Sequence, residues 1–114
     1  MNLAVKLFLE NEATYVLGPG RIELLRSVAE LGSLRKAAQK LGMSYRWAWG
    51  RLNDAEKALN VDLLTHSGHE SGGKAKVLTP AAKELLAWYT QVEKELIEIL
   101  TRSDAAQPEF IKGR

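Results

Sequence analysis

A chain of 114 residues can bury roughly 60–70% of its unfolded surface, enough for one domain with one core and little else. It has no cysteine, which excludes disulfides and thiolate metal sites, and no stretch approaches the ~20 apolar residues of a membrane span. The net charge of +2 is small but uneven: Arg21, Arg26, Arg35, Lys36, Lys40, Arg46 and Arg51 outnumber Glu23 and Glu30, whereas Glu84, Glu93, Glu95, Glu98 and Asp104 outnumber Lys83, Lys94 and Arg102. One end is suited to a negative partner and the other is not.

Met1 to Glu10 has an acid soon after a short apolar run and no small-residue cleavage site, so it reads as folded protein in a cytoplasmic setting rather than as a signal peptide. Residues 3–9 are dense enough in Leu, Val and Phe for a strand. Asn11-Glu12-Ala13 turns the chain and Thr14 to Leu17 returns it, giving a hairpin over 3–17. Pro19 suits the first position of a helix over 19–31, whose inner face is Ile22, Leu25, Val28 or Ala29, and Leu31, with Gly32 as its stop.

Ser33 then caps a short helix over 34–41 with Ala37, Ala38 and Leu41 inside; small residues suit two helices that cross closely. Gly42 supplies a tight turn, with Met43 beneath it, and Ser44 caps a third helix to Leu59. Ala48, Trp49, Leu52, Ala55 and Leu59 are assigned to its inner face, leaving Tyr45, Arg46, Trp47, Gly50, Arg51 and Asp54 outside. Helix, glycine turn and serine-capped helix with a cationic, aromatic outer face is what a helix-turn-helix requires. Val61 to Thr65 and Ala75 to Thr79 read as strands around a glycine-rich loop, a wing spanning 61–79. Thr79-Pro80 opens a long helix to about residue 103. In it Ala82, Leu85, Tyr89, Val92, Leu96 and Ile99 recur every three or four residues, a heptad-like stripe that suits a dimer interface. The expected fold is mainly α with small β, a winged helix-turn-helix over 1–104 with a flexible tail over 105–114.

Duplex DNA is the expected partner. Arg35 and Lys36, beside the Ser33 cap, and Lys74 and Lys76 on the wing can neutralise phosphates. Base edges fall to the front of the third helix, from Ser44 and Tyr45 onward. Arg46 suits a bidentate contact to guanine, worth about 1–3 kcal/mol of discrimination, with Arg51 behind it. Gly50 costs roughly 0.5–1 kcal/mol relative to Ala in mid-helix, which either close approach to DNA or simple tolerance explains. Trp47 either faces DNA or packs under the wing, and Trp49 is expected in the core. The rival reading is a protein-interaction module that recruits a partner helix through the long helix. His66 and His69, with Glu70 alone nearby, do not make a metal site, and Gly72-Gly73-Lys74 lacks the spacing of a phosphate loop. No catalytic pairing stands at credible spacing, so neither an enzyme nor a cofactor is expected.

Gly32-Ser33-Leu34 with Ala37-Ala38, then Gly42-Met43-Ser44-Tyr45-Arg46 and Ala48-Trp49, resembles the N-terminal domain of the molybdate-responsive transcriptional regulators (ModE type). The Gly72-Gly73 wing and Val77-Leu78-Thr79 extend the likeness, and the Ala-Ala-x-x-Leu-Gly pattern is shared with LysR-type regulators. The resemblance implies a winged-helix DNA-binding domain that dimerises through flanking helices and binds a near-palindromic operator. Many members carry a C-terminal oxyanion-binding domain that senses molybdate or tungstate. No segment of these 114 residues resembles it, so the resemblance does not extend to molybdate or tungstate binding here.

Overall fold

The computed structural model describes residues 1–67 and 75–112. In chain order the elements are β1 (Leu9–Asn11), β2 (Thr14–Leu17), α1 (Pro19–Leu31), α2 (Leu34–Lys40), α3 (Tyr45–Leu59), β3 (Leu64–His66), β4 (Lys76–Leu78), α4 (Pro80–Ala105) and α5 (Glu109–Lys112). The two strand pairs are separate antiparallel hairpins, β1 with β2 and β3 with β4. This is a winged helix-turn-helix.

Each helix starts where local chemistry favours it. The side-chain oxygens of Ser33, Ser44 and Thr79 accept from the backbone N–H three residues on, each at 3.1 Å, closing the first turns of α2, α3 and α4. Gly32 and Gly42 end α1 and α2 in the left-handed region, at φ 82° and 68°, where a side chain is strained. Beyond Gly42, the Met43 N–H bonds the Ala38 carbonyl at 3.0 Å, which fixes the angle at which α3 leaves the turn.

The core lies on α1. Ile22, Leu24, Leu25 and Val28 are buried, together with Leu34, Ala37 and Ala38 of α2, Ala48, Leu52 and Ala55 of α3, and Leu63, Leu64 and Leu78 at the base of the wing. Ala37, Ala38 and Ala48 let the helices approach closely, as expected. Helix α1 buries more than one face: Leu24 and Ser27 are inside, whereas Ala29 is exposed.

Three expectations are corrected. Strand pairing begins at Leu9 and not at residue 3, because β2 has only four residues before Gly18-Pro19 and leaves residues 3–8 no partner. The N-terminal segment runs along α4 instead: the Leu3 N–H bonds Asp104 at 2.9 Å and the Tyr89 hydroxyl bonds the Leu7 carbonyl at 2.5 Å. The tail is not loose through residue 112. Gln107 donates to the Met1 carbonyl at 2.7 Å, and residues 109–112 form α5. Tyr89, assigned to a dimer stripe, is 1% exposed and belongs to the chain's own core. Burial, and next the Glu93 carboxylate, raise its phenol above the ordinary value of 10.0.

Candidate nucleic-acid interface

The turn at Gly42 presents α3 at the surface, and its helical period decides what faces outward. Ala48, Leu52 and Ala55 point into the core, so Arg46, Trp49, Gly50 and Asn53, at i, i+3, i+4 and i+7, share the opposite side. Trp49 is 41% exposed, which corrects its assignment to the core. The warning was in the spacing: Ala48 and Trp49 are adjacent, and neighbours on a helix point about 100° apart, so both cannot sit at the centre of one face. Trp47 is 60% exposed and lines a groove with Arg46 and Arg51, away from the wing.

The basic residues divide sharply once contacts are considered. Arg26 pairs with Glu93 and also donates to Thr90, tying α1 to α4; Lys40 pairs with Glu30 at 3.2 Å; Arg21 faces Asp54 at 3.9 Å. Arg35, Lys36, Arg46 and Arg51 have no ion-pair partner among the described residues. These four lie on α2 and α3; Lys83, Lys94 and Arg102 of α4 also lack an ion pair among the described residues, but stand among the acids of that helix. Arg35 stacks over the Tyr45 ring, its guanidinium carbon 4.6 Å from the centroid, so these two side chains form one half-rigid unit at the junction of the helices.

Across a groove of about 480 Å³ from that unit stands the wing. The groove is lined by Arg35, Lys36, Gln39 and Tyr45 on the helix side and by Ser67, Ala75, Lys76 and Val77 on the other. His66 pairs with Lys76 across the wing and is exposed. Lys74, expected at the wing tip, and His69 with Glu70 lie outside the described residues. Ser33 is 8% exposed and holds the start of α2, so its hydroxyl acts through the helix and offers little surface to a ligand. Ser44 is exposed and caps α3.

Sequence reading missed how the wing is fixed to α3. A Glu56 carboxylate oxygen accepts from the backbone N–H of Leu63 at 2.8 Å and of Leu64 at 3.2 Å. Thr79 completes the base, its hydroxyl donating to the Asp62 carbonyl at 2.6 Å while it caps α4. No local pattern signalled it, because Leu63 and Leu64 lie beyond the end of α3. Gln39 and Asn53 were missed as well, both polar residues on outward positions.

Residues 20–83 match the family described as bacterial regulatory helix-turn-helix protein, lysR family. The chain belongs to this family. It is 39% identical over 82 residues to the molybdenum transport protein ModE of Herbaspirillum seropedicae, a match covering 71% of this chain and 30% of that protein. It is 31% identical over 85 residues to the molybdenum-pterin-binding protein MopB of Rhodobacter capsulatus, covering 75% and 32%. With the DNA-binding transcriptional dual regulator ModE of Escherichia coli it shares 28% identity over 108 residues, covering 92% and 41%. The region matched is thus an N-terminal DNA-binding domain of ModE type, and the chain spans about a third of the length of these relatives. A solved OxyR mutant of Corynebacterium glutamicum has the same fold, with a TM-score of 0.53 and 23% identity over 77% of this chain and 27% of that one. The matched family is one of regulatory proteins and not of enzymes. Among the described residues no helix is long and apolar enough to cross a membrane.

Proposed function

We propose that this chain is the DNA-binding part of a transcriptional regulator that acts as a homodimer. Helix α3 enters the major groove with Arg46, Trp49, Gly50 and Asn53 toward the bases, and Arg35, Lys36 and the wing residue Lys76 hold the backbone on one side. The observation that carries this reading is that Arg46, on the outward face of α3, and the adjoining Arg35 and Lys36 of α2 have no ion-pair partner among the described residues. Arg26 of α1 is paired closely with Glu93, whereas the arginines of α2 and α3 have no ion-pair partner among the described residues. The DNA-binding role named for the Escherichia coli relative supports it.

Pairing of two copies rests on a second observation. Leu3 and Val5 of the N-terminal segment, with Trp88 and Ile99 of α4, are between 48% and 54% exposed. Trp88 and Ile99, eleven residues apart, share one side of α4, and large apolar side chains left exposed together mark an association surface. The heptad stripe is redistributed: Leu85 packs against the core and Val92 and Leu96 are half-buried, leaving Ile99 as its open member. Two-fold pairing would set two α3 helices about one DNA turn apart, on a near-palindromic site.

The test is titration of the chain with duplex DNA over a range of salt. A steep linear fall of log affinity with log salt, with a slope of about −0.9 per phosphate neutralised, is expected. A flat response would favour the rival, a module that recruits a partner helix through α4.

A further inference from the structure

A second groove, of about 350 Å³, borders α3 on the flank turned to the start of α1. Arg21, Ser44, Arg46, Trp47, Gly50, Arg51 and Asp54 line it, and none of the described wing residues does. Three guanidinium-bearing side chains therefore share one groove with one carboxylate. Arg21 is fixed: it donates to the Val16 carbonyl at 2.6 Å, lies 4.7 Å over the Tyr15 ring and meets Asp54 at 3.9 Å. Arg51 is held without being neutralised. Its guanidinium carbon stands 5.8 Å from the centre of the Trp47 ring. On its other side it lies against Gly20, where an added Cβ would come within 3.2 Å of its terminal nitrogen. An aromatic face and a bare stretch of backbone thus orient a cation that has no ion-pair partner among the described residues.

We propose that this groove seats one backbone phosphate of the bound duplex, with Arg51 as its ligand and Arg21 as the fixed charge behind it. An arginine held by stacking offers its fork of N–H donors at little further loss of freedom, which suits a planar, two-point grip on a phosphate. The wing holds one strand beyond Tyr45, and this groove holds the other strand, so α3 is gripped on both flanks. Asp54, 66% exposed at its side chain, stands beside Arg21 and weakens the seat by repulsion. The inference rests on the reading that α3 enters the major groove, and it assigns Arg51 to the backbone and not to the bases.

The experiment uses the full chain and a selected operator in which phosphates are replaced one at a time by neutral methylphosphonates. One position per half-site, flanking the bases that α3 covers, should weaken wild-type binding. Arg51→Ala should bind more weakly, be indifferent to that replacement, lose about one unit of salt slope and keep the same base preference. Asp54→Asn should bind more tightly than wild type. The proposal is overturned if Arg51→Ala keeps the wild-type slope, if it still loses affinity at that phosphate, or if it changes base preference. Failure of the wild-type chain to bind duplex DNA at any salt would overturn the parent reading instead, a result that the Arg51 comparison cannot mimic.

Discussion

At the scale of single residues, the informative positions are those where stability and function pull in opposite directions. Gly50 sits inside α3, and a Cβ built there meets nothing within 4 Å, so nothing in the fold requires a glycine. Gly50→Ala should therefore raise stability by about 0.5–1 kcal/mol, read as a higher urea midpoint. If the face carrying Gly50 presses on DNA, the same change should weaken operator binding; equal or better binding would remove Gly50 from the interface. Single residues were also where sequence reading was least secure. The capping roles of Ser33, Ser44 and Thr79 were legible, because a cap is a local event between a hydroxyl and an amide three residues on. The exposure of Trp49 was signalled only by its adjacency to Ala48, a geometric warning that the apolar count of the helix hides. Glu56 was invisible because its partners, Leu63 and Leu64, belong to a different element.

At the scale of elements, α1 to α4 were readable because proline, glycine and capping residues stand at their ends, and helix bounds follow from such punctuation. The N-terminal hairpin was readable only in part. Apolar residues 3–8 satisfy a strand pattern equally well when they lie along a helix, and the choice was made by the shortness of β2 and by Tyr89, neither of which periodicity records. That docking makes a prediction. The folded chain keeps the Tyr89 phenol protonated to higher pH than the unfolded chain does, because burial and Glu93 disfavour its anion. Above pH 10 the unfolded state binds fewer protons, so stability contributed by Tyr89 is complete below pH 10 and declines as pH rises past it. Tyr89→Phe loses the bond to Leu7, so it should be less stable near neutrality by about 0.5–1.5 kcal/mol. The gap to wild type should narrow in denaturant titrations above pH 10. A gap that stays constant would mean that the phenol carries no such burden.

At the scale of the whole molecule, the shape is long and narrow, 60 by 31 by 22 Å, because α4 at 26 residues is about 39 Å long and outruns the core. The charge asymmetry between the two ends was plain in the sequence. Its division into neutralised and free cations was not, since the ion pairs join residues as far apart as Arg26 and Glu93. The apolar flank of α4 and the N-terminal segment predicts association. Sedimentation should find a dimer for the wild-type chain, and Ile99→Glu should shift it to monomer with its helical content intact; a wild-type monomer at micromolar concentration would end the two-fold account. The central claim, that α3 reads sequence, is tested most directly by comparing Arg46→Ala with wild type on a selected operator and on a scrambled duplex. Loss of about 1–3 kcal/mol of preference for the operator, with salt-dependent binding to the scrambled duplex retained, is the predicted result. Unchanged affinity and unchanged preference would contradict it.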